Sequence, residues 1–365
     1  MKKLKSQEMF ILKRLRVNLE EKSYDISIDK SMDNRLGSDI RKKFNGEKIA
    51  IITDKTVDAL YGEKLKNILE ANKFEVVKIA IEPGEMSKSF FTLPSVYEKL
   101  IEFKIRRSDL IIALGGGVVG DLAGFVAATY LRGVDFIQIP TTLLAQVDSS
   151  VGGKVAVDLE EGKNLVGAFY HPKAVYIFSE FLDSLNDRVF SDGLSEVIKY
   201  GCIRDEEIFN MVKNAENRKT LMESIEEIIY KCCATKAAIV EQDEMDKGER
   251  MLLNFGHTLG HAIEKYFNYD KYTHGEAVAI GMYKITKISE ELGLTAKGSA
   301  EIIKNILRKY NLPFEGEGIE DENEILKAIS NDKKNFNKDL NIILIKRIGE
   351  AYIKKDKLEF FKGRV

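Results

Sequence analysis

The most informative segment of the chain is Leu110-Ile111-Ile112-Ala113-Leu114-Gly115-Gly116-Gly117-Val118-Val119-Gly120-Asp121. Its apolar residues 110–115 predict a buried strand, the three glycines predict a tight turn, and residues 118–127 predict a helix. Backbone N–H groups at such a turn can bind a pyrophosphate. A plain tight turn is the alternative, because the G-x-G-x-x-G spacing of dinucleotide-binding turns is absent.

The pattern around this segment predicts an α/β first half and a mainly helical second half. Short β-branched runs alternate with helical stretches, as in a parallel sheet, and the predicted strands are 48–54, 75–82, 110–115, 136–142 and 174–178. The later predicted helices are 193–201, 219–242, 250–266, 275–292 and 299–310, with a loop at 316–321 and a strand at 340–345. We therefore expect two domains, 1–186 and 187–365, and a ligand in the cleft between them.

Composition narrows the classes of protein. The chain has 365 residues, 44% of them hydrophobic, which allows a large core. Because 56 Lys and Arg nearly balance 58 Asp and Glu, the net charge of -2 gives no general attraction for nucleic acid or an anionic membrane. An anionic ligand would need a local basic cluster.

Cysteine content and the N-terminus favour a soluble, cytoplasmic protein. Cys202, Cys232 and Cys233 provide neither a paired disulfide framework nor the spacing of a cysteine zinc site, so a reducing compartment fits best. The apolar run at residues 9–12 ends at Lys13, far short of a signal-peptide core or a membrane span.

Two further predicted strand ends support a nucleotide site, because ligands of open α/β sheets lie beyond the carboxyl ends of the strands. Asp54 closes one strand and could accept hydrogen bonds from a ribose, although an ordinary helix N-cap is the alternative. Thr141 and Thr142 close another strand. A capped turn is also the alternative for the remaining candidates, which are Pro83, Gly84, Glu85, Ser87 and Lys88.

Three of the four histidines lie within residues 257–274. On a helix, spacings of 4, 3 and 4 residues would place Arg250, Asn254, His257 and His261 on one polar stripe. His274 begins another predicted helix. This clustering predicts a metal site.

A catalytic zinc site typically has three protein ligands and an open position. Glu196, in the predicted helix 193–201, is the best carboxylate candidate, although sequence alone barely separates it from other glutamates. His257 and His261 have the i,i+4 spacing of the H-E-x-x-H motif, but position 258 is Thr instead of the glutamate base, so a metalloprotease is rejected.

Basic residues near the glycine-rich and histidine-rich segments predict a site for a multiply charged anion. For each one alone, a solvated surface charge is the alternative. They are Arg132, Lys154, Lys163, Lys199, Lys236 and Arg250.

Five segments together resemble the 3-dehydroquinate synthases, a family of sugar-phosphate cyclases. They are residues 115–125, 140–154, 162–169, 195–201 and 253–262. The resemblance extends from about Arg14 to Tyr352 and implies an α/β NAD-binding domain followed by a mainly α-helical metal- and substrate-binding domain. The first dozen residues have no counterpart in it.

The resemblance also implies the ligands of each group. Zn²⁺, or Co²⁺, would be bound by Glu196, His257 and His274. NAD would contact Glu85, Lys88, the turn from Gly115 to Asp121, Thr141 and Thr142. Lys163 would lie between NAD and substrate. Further candidates for NAD binding are Asp54, Pro83, Gly84, Ser87 and Lys154.

The implied substrate is a sugar phosphate bound by a homodimer. Its contacts would be Asp148, Lys154, Asn164, Lys199, Lys236, Arg250, Asn254 and His261, joined by Arg132 from the partner subunit. Lys334 would bind the phosphate, with Lys333 as the alternative. Near it the chain departs from the family pattern, because Lys338 replaces an expected glycine and Ile342 an expected aromatic residue.

The implied activity belongs to the shikimate pathway of aromatic amino-acid biosynthesis. A lyase would convert 3-deoxy-D-arabino-heptulosonate 7-phosphate to 3-dehydroquinate and phosphate through transient oxidation by NAD, phosphate elimination, re-reduction and aldol cyclisation. His261 is the candidate for proton transfer.

Three alternatives remain on sequence alone. A metal-dependent polyol or alcohol dehydrogenase would release NADH, but a basic cluster does not suit a neutral polyol. Another cyclase, such as a deoxy-inosose or valiolone synthase, would share the motifs, although Arg250 favours a substrate with a carboxylate. A non-enzymatic NAD-binding protein gives no reason for the histidine cluster.

Overall fold

The computed structural model describes residues 13–332 and 339–365. The chain divides into two compact units, Met1–Ser184 and Leu185–Val365. The first is an α/β unit built on a largely parallel sheet, and the second is mainly helical. The predicted fold class is therefore confirmed.

A seven-stranded sheet organises the first unit. The strands of this unit are β1 (Lys13–Val17), β2 (Tyr24–Asp29), β3 (Lys48–Asp54), β4 (Glu75–Ile81), β5 (Leu110–Gly115), β6 (Phe136–Pro140), β7 (Lys154–Leu159), β8 (Gly162–Phe169) and β9 (Ala174–Phe178). The sheet order is β1-β2-β9-β6-β5-β3-β4, and only β1 runs antiparallel to its neighbour. β7 and β8 form a separate antiparallel hairpin.

Helices cover both faces of this sheet. They are α1 (Asn34–Lys43), α2 (Lys55–Val57), α3 (Glu63–Ala71), α4 (Leu93–Glu102) and α5 (Gly117–Thr129). Along β3, Ile49 and Ile51 pack with α1 and α3, whereas Ala50 and Ile52 pack with α4 and α5. Burial on both faces explains the continuous apolar runs of the strands. Each fully buried isoleucine contributes about 1.5–3 kcal/mol.

Two glycines let α5 lie close to its neighbours. A Cβ atom on Gly115 would lie 2.6 Å from the Val119 side chain, and one on Gly124 would lie 2.3 Å from Val155 Cγ1. Neither separation is available to a real Cβ atom. Gly115 therefore keeps the turn after β5 tight, and Gly124 lets α5 pack on β7.

Eight helices and a hairpin make up the described part of the second unit. They are α6 (Asp187–Ile203), α7 (Glu206–Asn214), α8 (Arg218–Met222), α9 (Ile225–Gln242), α10 (His257–Tyr266), α11 (His274–Glu291), α12 (Ser299–Lys309), α13 (Glu322–Asp332), β10 (Leu340–Arg347) and β11 (Glu350–Asp356). The predicted late strand lies within β10, and residues 316–321 form the predicted loop. Across residues 13–332 and 339–365, no helix is long and apolar enough to cross a membrane.

Two predicted helices are interrupted. Residues 219–242 form α8 and α9, separated by a turn at Glu223 and Ser224. The prediction of one helix over 250–266 was wrong, because Glu249–Asn254 is a 3₁₀ helix and α10 begins only at His257. Gly256, between them, has a φ of +81°, which a continuous right-handed helix does not contain.

Candidate active site

Three residues far apart in the sequence meet in the helical unit. Glu196 lies on α6 and is 1% exposed, whereas His257 and His274 are the first residues of α10 and α11. Glu196 Oε1 lies 3.6 Å from His257 Nε2 and 3.5 Å from His274 Nε2. One ligand atom of each residue lies within 4.8 Å of the other two. These are the three residues that the sequence analysis selected as metal ligands.

Helix capping and a link between helices hold His274 in place. Thr273 and Glu276 form a capping box, in which the Thr273 backbone N–H donates to Glu276 Oε2 at 2.9 Å. The backbone N–H of Gly275, directly after His274, donates to Asp192 Oδ1 on α6 at 2.6 Å. The start of α11 is therefore attached to the helix that carries Glu196.

The protonation states of the two histidines differ. Burial, assisted by the nearby Lys199 ammonium, lowers the pKa of His257 to about 3. Its neutral ring can donate from Nδ1 to the Phe255 carbonyl oxygen, 3.2 Å away, which leaves Nε2 with a lone pair facing Glu196. His257 thus has the protonation state and tautomer that a metal ligand needs.

The surroundings of His274 stabilise its protonated, positively charged form. Burial alone would lower the pKa of His274, but the carboxylates of Glu196 and Glu264 outweigh burial and raise it to about 10. Glu196 also forms an ion pair with Lys199. Two imidazoles and one carboxylate within this radius fit a divalent cation such as Zn²⁺ or Co²⁺.

A second donor set overlaps the first. It consists of His261, Glu264 and His274, whose ligand atoms also lie within 4.8 Å of one another. The ring centroids of His257 and His261 are 5.4 Å apart. Glu264 is not among the predicted ligands, although it lies on α10 seven residues after His257, a spacing that places both on one helix face.

The predicted substrate residues of this unit divide into buried and exposed groups. Lys199, Lys236 and Arg250 are each at most 6% exposed, and Arg250 donates from Nη1 to the Glu244 carbonyl oxygen at 2.7 Å. Asn254 and His261 are exposed. Because Arg250 and Asn254 belong to the 3₁₀ helix, the predicted single helical stripe is corrected to two adjoining segments. Lys333 and Lys334 lie outside the described residues.

In the α/β unit, several of the predicted nucleotide-binding residues lie together at the carboxyl ends of neighbouring strands. The parallel register pairs Gly115 with Pro140 and Thr53 with Leu114, so Asp54, the glycine turn and Thr141 follow neighbouring strand ends. Gly116 is the N-cap of α5. Asp54 Oδ1 accepts hydrogen bonds from the backbone N–H groups of Thr56 and Val57, as in the N-cap alternative.

Lys88 lies at the centre of a polar network in the same unit. Its ammonium donates to Asp121 Oδ2 at 3.1 Å and to Asn164 Oδ1 at 2.7 Å. Glu85 Oε1 lies 3.1 Å away and Asp158 Oδ1 3.8 Å away. Lys88 is only 5% exposed, so it joins the turn after β4 to α5 and to the β7–β8 hairpin.

Charge and burial compete in this network. Burial opposes the charge on Lys88, but the surrounding carboxylates raise the pKa of Lys88 above its usual value. Burial raises the pKa of Asp121 to about 6, even though Lys88 opposes the rise. The sequence analysis missed Asp158, which also accepts the Asn164 backbone N–H at 2.7 Å.

The remaining predicted residues of the α/β unit lie in unusual backbone. Asp148 belongs to a short π-helix, Ala145–Ser149, a feature frequent at functional sites. Arg132 is exposed and follows Leu131 in a turn where both residues have positive φ, +67° and +50°. Among the others, Thr142 Oγ1 accepts the Ala145 N–H, Lys154 begins β7 with an exposed side chain, and Lys163 lies half-buried on β8.

The fold of the chain is shared with a solved enzyme structure. The solved structure of 2-deoxy-scyllo-inosose synthase, in complex with carbaglucose-6-phosphate, NAD⁺ and Co²⁺, matches with a TM-score of 0.86 at 24% identity. The match covers 96% of this chain and 98% of that one.

Comparison of the sequence with known proteins identifies the family. Residues 78–192 match the description 3-dehydroquinate synthase N-terminal, and residues 193–335 match 3-dehydroquinate synthase C-terminal. The 3-dehydroquinate synthase of Clostridium botulinum is 58% identical over 96% of this chain and 100% of its own length. That of Clostridium perfringens is 59% identical with the same coverage. The chain belongs to the 3-dehydroquinate synthase family.

Proposed function

We propose that the protein converts 3-deoxy-D-arabino-heptulosonate 7-phosphate to 3-dehydroquinate and phosphate. One observation carries the proposal, namely the 58% identity to a 3-dehydroquinate synthase over 96% of the chain. The reaction eliminates phosphate and is that of a carbon–oxygen lyase. The dehydrogenase alternative is not favoured, because the family match extends through both units.

The residues suit the two groups that this reaction needs. Glu196, His257 and His274 would hold a divalent metal, and the segment from Gly115 to Asp121, which joins the end of β5 to the start of α5, would hold NAD. When bound, the metal supplies Lewis-acid polarisation of substrate hydroxyls, and NAD supplies a reversible hydride acceptor.

The side chains of the helical unit would orient the substrate. Arg250 would bind its carboxylate through two parallel N–H···O bonds, with the guanidinium oriented by its bond to the Glu244 carbonyl oxygen. Lys236 is a buried cation suited to the anionic substrate. His261, exposed next to His257, would transfer protons at the substrate hydroxyls.

The test of the proposed function is a balance of products. The purified protein is incubated with the heptulosonate phosphate, Co²⁺ or Zn²⁺, and NAD at a small fraction of the substrate concentration. We expect one phosphate and one 3-dehydroquinate per substrate, and no accumulation of NADH, because the hydride returns to the same molecule. NADH formed in proportion to product would reassign the protein to the dehydrogenases.

We also propose a cytoplasmic homodimer in which Arg132 acts on the partner's substrate. The three cysteines are buried and none is in a disulfide, which suits a reducing compartment. Leu131 and Arg132 are successive non-glycine residues with positive φ, a costly backbone conformation that is frequent at functional sites. Arg132, the second of them, is exposed.

Mixed dimers test the proposed role of Arg132. Arg132→Ala and His257→Ala are expected to be inactive alone, but a co-expressed hybrid of the two should have about half of the wild-type activity per dimer. The reason is that one of its two sites then contains neither change. If Arg132 acts within its own chain, every site of the hybrid carries one defect, and activity stays at the level of the single variants.

A further inference from the structure

Glu264 is a buried acid with no role in the reaction described above. It lies on α10, seven residues after His257, and is 3% exposed. A carboxylate at this depth is costly unless a charged or hydrogen-bonding group compensates it. Its Oε2 atom lies 3.6 Å from Nδ1 of His274.

The imidazole of His274 therefore lies between two carboxylates, one at each ring nitrogen. Nε2 faces Glu196 at 3.5 Å, and Nδ1 faces Glu264. The two ring nitrogens therefore face different carboxylates, Nε2 the one that also lies near His257 and Nδ1 the one on α10.

We propose that Glu264 is a positioning residue that orients His274 for metal binding, an inference that rests on the proposed metal site. A carboxylate that accepts the Nδ1 proton fixes the tautomer with its lone pair on Nε2 and makes that nitrogen a stronger donor. His257 obtains the same tautomer from a neutral acceptor, the Phe255 carbonyl oxygen. His257 and His274 thus obtain the same tautomer from different acceptors, a carbonyl oxygen and a carboxylate.

Helix α10 performs two tasks under this proposal. Its first residue, His257, supplies a ligand, and its last turn supplies the acceptor that orients the ligand on α11. Both α10 residues move with one rigid helix, so the distance between the two histidines is set by the packing of α10 against α11.

The competing interpretation makes Glu264 itself a ligand, in the set with His261 and His274. The two interpretations differ in what each variant loses. If Glu264 only orients His274, its removal weakens binding but leaves the same three ligand atoms. If Glu264 is a ligand, its removal abolishes the site, and His257→Ala leaves it intact.

The experiment measures Co²⁺ binding by visible absorption, in competition with a chelator, on metal-free protein and without substrate. We expect Glu264→Met to weaken the affinity about 10–100-fold with the shape of the Co²⁺ spectrum retained. Glu264→Gln keeps an acceptor and should lose less. Glu290→Gln is the matched control, because Glu290 is a half-buried carboxylate on the same helix, α11, and accepts a hydrogen bond from the Ala300 backbone N–H. This substitution should not alter the affinity for Co²⁺.

Wild-type affinity in both Glu264 variants would overturn the proposal, as would complete loss of Co²⁺ in them together with full binding by His257→Ala. Circular dichroism of the metal-free proteins establishes that each variant is folded. Should Glu264→Met fail to fold, Glu264→Gln decides, since it preserves the volume. Because no turnover is measured, a wrong substrate assignment would leave these results unchanged.

Discussion

Replacing His257 by alanine is expected to remove the bound divalent metal and to lower kcat by at least about 10³-fold. Loss of one of three protein ligands leaves two, too few for a stable site. A catalytic metal stabilises the transition state by several kcal/mol, and about 4 kcal/mol corresponds to this factor. The metal content of the purified variant and its steady-state rate are the two measurements.

The fold should survive this change. Burial makes His257 neutral, so its removal leaves no unpaired charge of its own in the protein. His261→Ala is the matched control, since it removes an imidazole from the same helix about one turn away, where the side chain is exposed. It should lower activity but keep the metal. A metal-replete His257→Ala variant together with a metal-free His261→Ala variant would move the site to the overlapping set with Glu264.

The sequence predicted which residues meet at the site better than it predicted where the helices that carry them begin and end. Glu196, His257 and His274 meet as expected. The histidine cluster indicated the two histidines and the family resemblance selected Glu196, and neither signal depends on helix boundaries. The single helix over 250–266 failed for a local reason. Its spacings of 4, 3 and 4 fit a helix, but Phe255, with a ψ of 124°, and Gly256, with a left-handed φ, interrupt it. The spacing pattern does not reveal either conformation.

Strand prediction succeeded where both strand faces are buried. β3, β5 and β9 have the predicted bounds, because unbroken runs of Ile, Val and Leu are a strong signal. β1, β2, the β7–β8 hairpin and β11 were missed. β2 is mostly buried, but its sequence alternates apolar residues with Asp and Ser. β8 alternates exposed and half-buried residues and β1 is an edge strand of five residues, so neither has a long apolar run.

The network around Lys88 could not be predicted, because its members are brought together only by tertiary structure. Asp121 and Asn164 lie 33 and 76 residues away in the chain. No short-range pattern couples them to Lys88. The resemblance selected four of the five members, Glu85, Lys88, Asp121 and Asn164, one by one but not Asp158, and it did not indicate that they form one network.

Replacing Lys88 by methionine is expected to destabilise the folded protein by about 3–5 kcal/mol, the usual cost of removing one partner from a buried ion pair. Methionine preserves most of the volume and removes the charge. Asp121, Glu85 and Asp158 then lie close together without the cation that faces all three. Urea denaturation followed by circular dichroism gives the free energy of unfolding.

The control is a lysine whose ion pair is exposed. Lys55 contacts Glu82, and both side chains are more than half exposed. Lys55→Met should therefore change the free energy of unfolding by less than about 1 kcal/mol. Equal losses in the two variants would show that the burial of Lys88 is without energetic consequence.

The loss in Lys88→Met should shrink as the pH falls. The folded-state pKa of Asp121, about 6, lies above the value of about 3.9 for an unperturbed aspartate. Between these values the folded form binds the proton more tightly, so acidification stabilises it relative to the unfolded chain. Without Lys88 the pKa of Asp121 rises further, and the recovery starts at a higher pH than in the parent protein. The free energy of unfolding is measured for Lys88→Met and wild type near pH 8 and near pH 5, and the difference between the two proteins should be larger at the higher pH. A difference independent of pH would mean that lost packing, and not the uncompensated carboxylates, causes the destabilisation.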